Sequence, residues 1–383
     1  MRRSRLSRIA AYIVLYVLLY AAFGVASPFW PKFFETRGFG AEQIGLILAA
    51  SMLIRLPTGP LVARLADHLE TLRLALAIGA VLAAGAAAAF LTAEGFWLFL
   101  SIALVQAAAL APTTSIADAL ASRRADYGWI RGSASAAFVA GTLLAGQLIG
   151  GGDLTPIIWM NVALLVAAAA STAIVPPTVS AADDAPDLGE IRGLLRTPRF
   201  RAVLLISAVI YGSHALHDGF AVIRWTAAGI EPSTVSLLWS EAVAAEVVVF
   251  CLVGPALIRR IGPRGSAMLA AAAGVVRWSI MGVTSSVTAM ALVQPLHGLT
   301  FALLHLACMR IMAAVVPKHL SATAQSLYAF GTGLVTAALT ALSGLAYAAL
   351  GGASFFAMAA LCAIALPAAR YGLDDRRVEP SHP

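Results

Sequence analysis

Charge is scarce in this chain. Asp, Glu, Lys and Arg make up 12% of its 383 residues, about half the share of an ordinary soluble domain. That shortage excludes a soluble enzyme or a soluble binding module, because such a surface has too few polar groups to face water. Lysine is almost missing, with Lys32 and Lys318 the only two, which points to an arginine-rich, high-GC bacterial gene. Only three cysteines occur, Cys251, Cys308 and Cys362. All three fall in apolar runs, so they offer neither a disulfide frame nor metal-ligand spacing. No phosphate-binding glycine loop, nucleophile–base pattern or metal motif is present, so no cofactor and no catalysis are expected. Long polar segments are also lacking, and the longest spans about 176–199.

What fills the chain is hydrocarbon. Hydrophobic residues reach 60% and mean hydropathy is +0.86. Apolar runs of about 20 residues cross ~30 Å of bilayer as helix. Twelve such runs are expected near 9–34, 42–65, 72–92, 95–119, 129–150, 156–175, 201–224, 234–258, 265–286, 288–316, 322–349 and 352–370. The lipid bilayer is therefore the first partner.

Orientation follows from the basic residues. Placing the N-terminus inside puts 20 of the 26 Lys and Arg at cytoplasmic ends, with Lys32, Arg37 and Arg224 opposite and Arg55, Arg277 and Arg310 within the apolar runs. An even number of helices then sets both termini in the cytoplasm of a bacterial inner membrane. The net charge of +7 is a topology signal and carries no nucleic-acid inference. Arg2–Arg8 before an apolar stretch resembles a secretory leader, but the run continues through Phe29 and Trp30, so cleavage is not expected.

The polar stretch opens with Pro176 and Pro177 and includes Asp183, Asp184, Pro186, Asp187 and Glu190, a linker's composition. It divides the chain into a six-helix bundle at 1–175, a cytoplasmic linker at 176–199, and a second six-helix bundle with a short tail at 200–383. The halves echo each other. Gly59-Pro60-Leu61-Val62-Ala63-Arg64 recurs as Gly254-Pro255-Ala256-Leu257-Ile258-Arg259, Gly38 answers Gly229, and Ile44-Gly45-Leu46 answers Val235-Ser236-Leu237. A six-plus-six parallel repeat is the major facilitator architecture, an all-α membrane fold with its site near the bilayer midplane. The loop after the second helix resembles that superfamily's Gly-x-x-x-Asp-Arg-x-Gly-Arg signature in degenerate form. Asp67 keeps the acid, Ala63 replaces the first Gly, His68 the Arg and Glu70 the second Gly.

Further stretches narrow the resemblance. Pro112 through Ala121, with Asp118, followed by Asp126-Tyr127-Gly128-Trp129-Ile130-Arg131, resembles the lactose-permease-like branch. Gly212-Ser213-His214, Trp225 through Gly229, Leu238-Trp239-Ser240, Ala245 through Phe250, Gly274 through Gly282 and Leu296-His297-Gly298 resemble the 3-phenylpropionic acid transporter subgroup. The likeness implies alternating access, proton-coupled uptake of a small organic acid such as an aromatic carboxylate, and a monomer. Lactose permease carries an Arg and a His at the spacing of Arg277 and His297, and a carboxylate one turn beyond, where this chain has Thr300. That departure leaves Glu246 or Glu241 to carry the proton. Arg131 matches an Arg of the permease sugar site.

Three arginines, Arg55, Arg277 and Arg310, and two glutamates, Glu241 and Glu246, lie inside apolar segments. A charge at that depth costs at least roughly 2.5–3.5 kcal/mol and faces a partner or a wet cavity. Helical rise of 1.5 Å per residue puts Arg277, Glu246 and His214 about 18 Å deep and His297 about 14 Å deep. Glu246 with Arg277 reads two ways. It is either a switch, in which protonation frees the guanidinium for a substrate carboxylate, or a permanent structural pair. Proton coupling is thus assigned to Glu246, Glu241 and His297. Substrate contacts are assigned to Arg277, His214, Arg131, Tyr20 and Phe23. Arg55 and Asp118, with Asp67, are expected at an inner gate. Glu241 lies about 140° around the helix from Glu246 and reads alternatively as a vestibule residue. Tyr20, Phe23, Phe29, Trp30 and Phe138 form either an aromatic wall or ordinary packing. Arg310 is near a helix end, where its stem reaches the interface.

Three rivals stay open. They are a proton-coupled sugar or nucleoside symporter, a proton-driven exporter of apolar compounds, and a membrane sensor that moves nothing.

Overall fold

In the computed structural model, residues 2–121, 127–176 and 188–373 are described. Arg123 and Arg124 of the cytoplasmic basic set, Asp126 of the permease-like motif, residues 177–187 of the expected linker, and the tail from 374 lie outside them. The described residues are nearly all helical, with one isolated bridge, Gly150–Asp153, and no sheet.

Nine helical stretches among them are long and apolar enough to cross a membrane. The two longest, Pro232–Val283 with 52 residues and Lys318–Gly372 with 55, would exceed twice the bilayer thickness if straight. Each breaks at a glycine with positive φ, Gly262 (φ 70°) and Gly351 (φ 53°). Each therefore supplies two spans. With Tyr127–Leu148 added, the twelve expected helices are accounted for.

Several helices break where one continuous run was expected. The first ends at Ala26 and restarts at Trp30, with Pro28 in the interruption and Pro31 in the first turn of the new helix. Trp30 then packs on Phe34 and Phe90, so it and buried Phe29 belong to a packed cluster. The seventh run divides into Pro198–Gly212 and Ala215–Ala227, leaving Ser213 and His214 at the joint. The tenth run passes from α-helix (Val287–Val293) through a 3-10 turn (Gln294–Leu296) to a π-helical segment (Gly298–Leu303). Pro295 has no N–H to give and prompts that change. A second π segment, Val249–Val253, follows Glu246.

The chain forms two compact units, Met1–Asp183 with Gly219–Ser240, and Asp184–Asp218 with Glu241–Pro383. In the first, small residues bring helix backbones into contact, the usual device where lipid gives no hydrophobic drive. A Cβ on Gly24 would fall 2.1 Å from the Phe138 carbonyl oxygen, and one on Gly141 2.6 Å from that of Ala21. Thr142 and Asn161 donate to the carbonyls of Gly24 and Ala22 at 2.9 and 2.8 Å, tying the same crossing. In the second unit Gly274 abuts Cys362 (2.5 Å to Sγ), and Gly298 abuts the Ala245 carbonyl (2.6 Å).

The degenerate signature has a structural consequence. Glu70 is the one non-glycine with positive φ (54°) among the described residues. It closes the Ala41–His68 helix, with the Thr71 N–H donating to the Ala66 carbonyl at 2.8 Å. Glycine is the usual occupant of this left-handed closing position. Glu70→Gly should therefore stabilise the protein by about 1 kcal/mol, read as a raised unfolding midpoint in detergent, whereas Glu70→Ala should not.

Candidate functional site

Three polar side chains and one indole ring of the second unit converge on one guanidinium. Arg277 is fully buried, one turn past Gly274, whose lack of a side chain lets the Phe355–Gly372 helix approach. Its Nη1 donates to His297 Nδ1 (3.1 Å). Its Nη2 donates to Gln294 Oε1 (2.9 Å) and, more weakly, to His217 Nε2 (3.4 Å). Beneath it lies the Trp278 ring, 4.4 Å from the guanidinium carbon, a cation–π contact. The Trp278 N–H donates to Ser213 Oγ at 2.9 Å. Gln294 and His297 face the same way because 3-10 geometry has three residues per turn, which eclipses positions three apart.

The donors fix the tautomers. A guanidinium only donates, so His297 Nδ1 and His217 Nε2 must both present lone pairs to it. His297 therefore carries its proton on Nε2, which faces Glu246 Oε2 at 3.5 Å. His217 carries its proton on Nδ1 and gives it to Asp218 Oδ1 at 3.1 Å. His214 Nδ1 donates to the Ile210 carbonyl (3.0 Å), leaving Nε2 to accept from the Thr300 hydroxyl (2.9 Å). The imidazoles facing Arg277 are thus neutral, and each has a carboxylate on its far side. Arg277 Nε is buried without an acceptor among the described residues.

This arrangement revises the expected direct pair. Glu246 reaches Arg277 through the His297 ring, because His297 occupies the position between them. Glu246 is 24% exposed and His297 16%, so the far end of the relay is open while the cation is sealed. Glu241 joins none of these groups and forms no ion pair among the described residues. It lies half-buried, five residues before Glu246 on the Pro232–Val248 helix.

In the first unit Arg131 meets Tyr20 in a hydrogen bond and a cation–π contact (5.2 Å). Asp118 sits 3.5 Å from Arg131 and accepts from Tyr16 OH at 2.6 Å. Tyr16 stacks on Tyr20, and Tyr20 meets Phe23 edge-on at 5.6 Å. So Arg131, Tyr20 and Phe23 come together, with Asp118 beside them. The Arg55–Asp118 gate pair does not form, because Asp118 is taken by Arg131 and Tyr16. Arg55 and Asp67 make no ion pair among the described residues. Arg310 is exposed in the last turns of Leu304–Val315, consistent with a stem reaching the interface.

Gln294, His217, Trp278 and Thr300 line the Arg277 cluster but were not assigned roles from sequence. Gln294 carried a usable signal: it is a polar residue one 3-10 turn before His297 and next to Pro295. Trp278 and His217 had none, since an aromatic or a histidine in an apolar helix reads equally as packing.

With this geometry in place, similarity to known proteins can be weighed. The twelve-helix fold with buried charge defines a multi-pass membrane transporter. Residues 9–358 match the MFS_1 like family, and the chain belongs to that family, within the major facilitator superfamily. It is 33% identical over 374 residues to the probable 3-phenylpropionic acid transporter of Escherichia coli (strain K12), covering 92% of this chain and 94% of that protein. It is 25% identical over 337 residues to maltose permease of Geobacillus stearothermophilus, covering 86% and 85%. The nucleoside transporter NupG shares the fold at TM-score 0.83 with 15% identity, over 97% of this chain and 99% of that one. A bacterial homologue of the human lysosomal transporter Spinster does so at 0.73 with 15% identity, over 97% and 98%.

The Glu246–His297 contact depends on the bare backbone of Gly298. A Cβ there would meet the Ala245 carbonyl at 2.6 Å and Val249 Cγ2 at 2.8 Å, whereas Gly331 has nothing within 4 Å. Gly298→Ala should destabilise by roughly 1–3 kcal/mol, seen as a lowered thermal midpoint, and Gly331→Ala should not.

Proposed function

We propose that this protein is a proton-coupled symporter that imports a small organic acid, of the aromatic carboxylate class, by alternating access. In this reading it sits as a monomer in the bacterial inner membrane with both termini cytoplasmic. The observation that carries the reading is Arg277, a permanent cation whose partners are neutral lone pairs. A guanidinium keeps its proton in proteins, so Arg277 stays charged. The planar guanidinium suits a carboxylate bidentately, and His297, His217 and Gln294 can be exchanged for substrate oxygens without separating an ion pair.

Coupling follows from the relay. With Glu246 ionised, His297 donates Nε2–H to it and holds Arg277 through Nδ1. The negative charge one imidazole away offsets the guanidinium and repels a second anion. A proton on Glu246, the more open group, removes that offset, and the substrate carboxylate restores it. Proton alone or anion alone changes the local charge by one unit, and both together leave it unchanged. An extra unit at mid-membrane costs at least ~2.5–3.5 kcal/mol, so half-loaded transit is disfavoured by roughly 10²-fold.

Glu246 is preferred over Glu241 as the proton site because only Glu246 meets the relay. Arg277 is preferred over Arg131 as the carboxylate anchor because Arg131 already has Asp118 beside it. The relative named for 3-phenylpropionic acid supports the acid class, whereas the maltose and nucleoside transporters share less sequence. One proton with a monoanion moves no net charge, while a neutral sugar with one proton would respond to membrane potential.

Proteoliposomes loaded with labelled 3-phenylpropionate give the test. Glu246→Gln should abolish uphill uptake driven by an inward proton gradient while preserving counterflow exchange. Loss of both with an unfolded protein would instead assign Glu246 a structural role. Imposed potential without a pH gradient should concentrate no substrate, and accumulation under that condition would overturn the one-proton acid cycle. Separately, Arg277→Lys should raise the half-saturation concentration about 10–100-fold, the loss of a charge-assisted bond worth ~1.5–3 kcal/mol.

A further inference from the structure

Beyond Arg277, the stripe that carries His297 continues as a run of rings that proton coupling does not use. His297 lies nearly parallel to Phe301, with centroids 5.4 Å apart at 17°. Phe301 meets Tyr211 at 5.2 Å. Tyr211 meets Tyr328 edge-on at 6.4 Å, and Tyr328 meets His305 at 6.1 Å. Among these, Phe301 alone is exposed, at 37%.

The wall is tied down. Tyr328 OH donates to Tyr211 OH at 3.2 Å, and Tyr211 OH donates to the Phe301 carbonyl oxygen at 3.3 Å. That carbonyl belongs to the π-helical Gly298–Leu303 segment, where the shift from the ordinary four-residue register leaves backbone groups to be satisfied by neighbours. A partly exposed phenyl ring held this firmly, one ring away from a buried cation, offers a surface for a planar group.

Resting on the organic-acid reading above, we infer that Phe301 is a specificity-determining platform. A substrate whose carboxylate takes the Nη groups of Arg277 lays its flat ring on Phe301, past the edge of His297. The site therefore selects aryl acids with a short spacer between carboxylate and ring over saturated acids of the same carbon skeleton. Tyr211 acts as a positioning residue, because its hydroxyl bond fixes the backbone of the platform.

Binding of two acids to the purified protein in lipid nanodiscs tests this, with 3-phenylpropionate and 3-cyclohexylpropionate as probes. The wild type should bind the phenyl acid about 3–10-fold more tightly, the range of an aromatic pair beyond area burial. Phe301→Leu should bring that ratio to about one while leaving cyclohexyl affinity within about twofold, Phe301→Tyr should keep it, and Tyr211→Phe should reduce it. A wild-type ratio near one, an unchanged ratio in Phe301→Leu, or equal weakening of both acids would overturn the platform and leave the proton relay standing. A folded wild type that binds neither acid would instead sink the organic-acid reading itself.

Discussion

A guanidinium cannot shed its proton, so the second unit is organised around what may touch Arg277. A carboxylate in direct contact would neutralise it permanently, and breaking such a buried pair is strongly destabilising, by about 3–5 kcal/mol. Neutral imidazole and amide acceptors solvate the cation without fixing a counter-ion. The three-residue eclipse of Gln294 and His297, the break at Ser213–His214 and the indole face of Trp278 all follow from that demand. The break at Ser213–His214 gives Trp278 its hydroxyl acceptor, and the 3-10 turn at Gln294–Leu296 brings Gln294 to the cation.

The positions of the rings depend on missing side chains. Gly274 lets the helix carrying Arg277 lie against Cys362, and Gly298 lets the π segment lie against Ala245. These contacts hold His297 where it touches both Arg277 and Glu246. Two π-helical segments, Val249–Val253 and Gly298–Leu303, flank that contact on the two helices. Such segments widen a helix by one residue per turn and shift the side chains around it, which explains why depth estimates from uniform rise placed the charges near one another without giving their order.

Bulk hydrophobicity made the twelve-helix fold legible, because span length is a property of composition and bilayer thickness alone. The residues of the Arg277 cluster were also visible, since charge in an apolar run stands out. Their pairing was not. Arg277 with Glu246 was the simplest match of charge and depth, yet His297 intervenes, and Arg55 with Asp118 failed because Asp118 lies 3.5 Å from the arginine of the next helix. A neutral partner such as Trp278 gives no signal in a one-dimensional reading, since its role appears only when helices cross. Glu70 shows the reverse case. A substitution in a family signature looked like degeneracy in the sequence, and the structure turns it into a strained backbone position.

Thr300 bears on how the proposed relay differs from its permease-like counterpart. Where that branch has a carboxylate one turn past the histidine, this chain has a hydroxyl that donates to His214 at 2.9 Å. A hydroxyl there satisfies an imidazole but stores no charge, so any proton taken up by this helix pair must reside on the other neighbour of His297. Glu246 occupies that place, on a different helix and on the more open side of the ring. Moving the acid across the imidazole keeps the spacing from guanidinium to titratable group at one ring while clearing the side toward Phe301. With a carboxylate at position 300, the cluster would hold a third acid beside Glu246 and Asp218. Threonine adds no charge there, so in the proposed cycle Glu246 remains the acid whose protonation leaves room for a substrate anion.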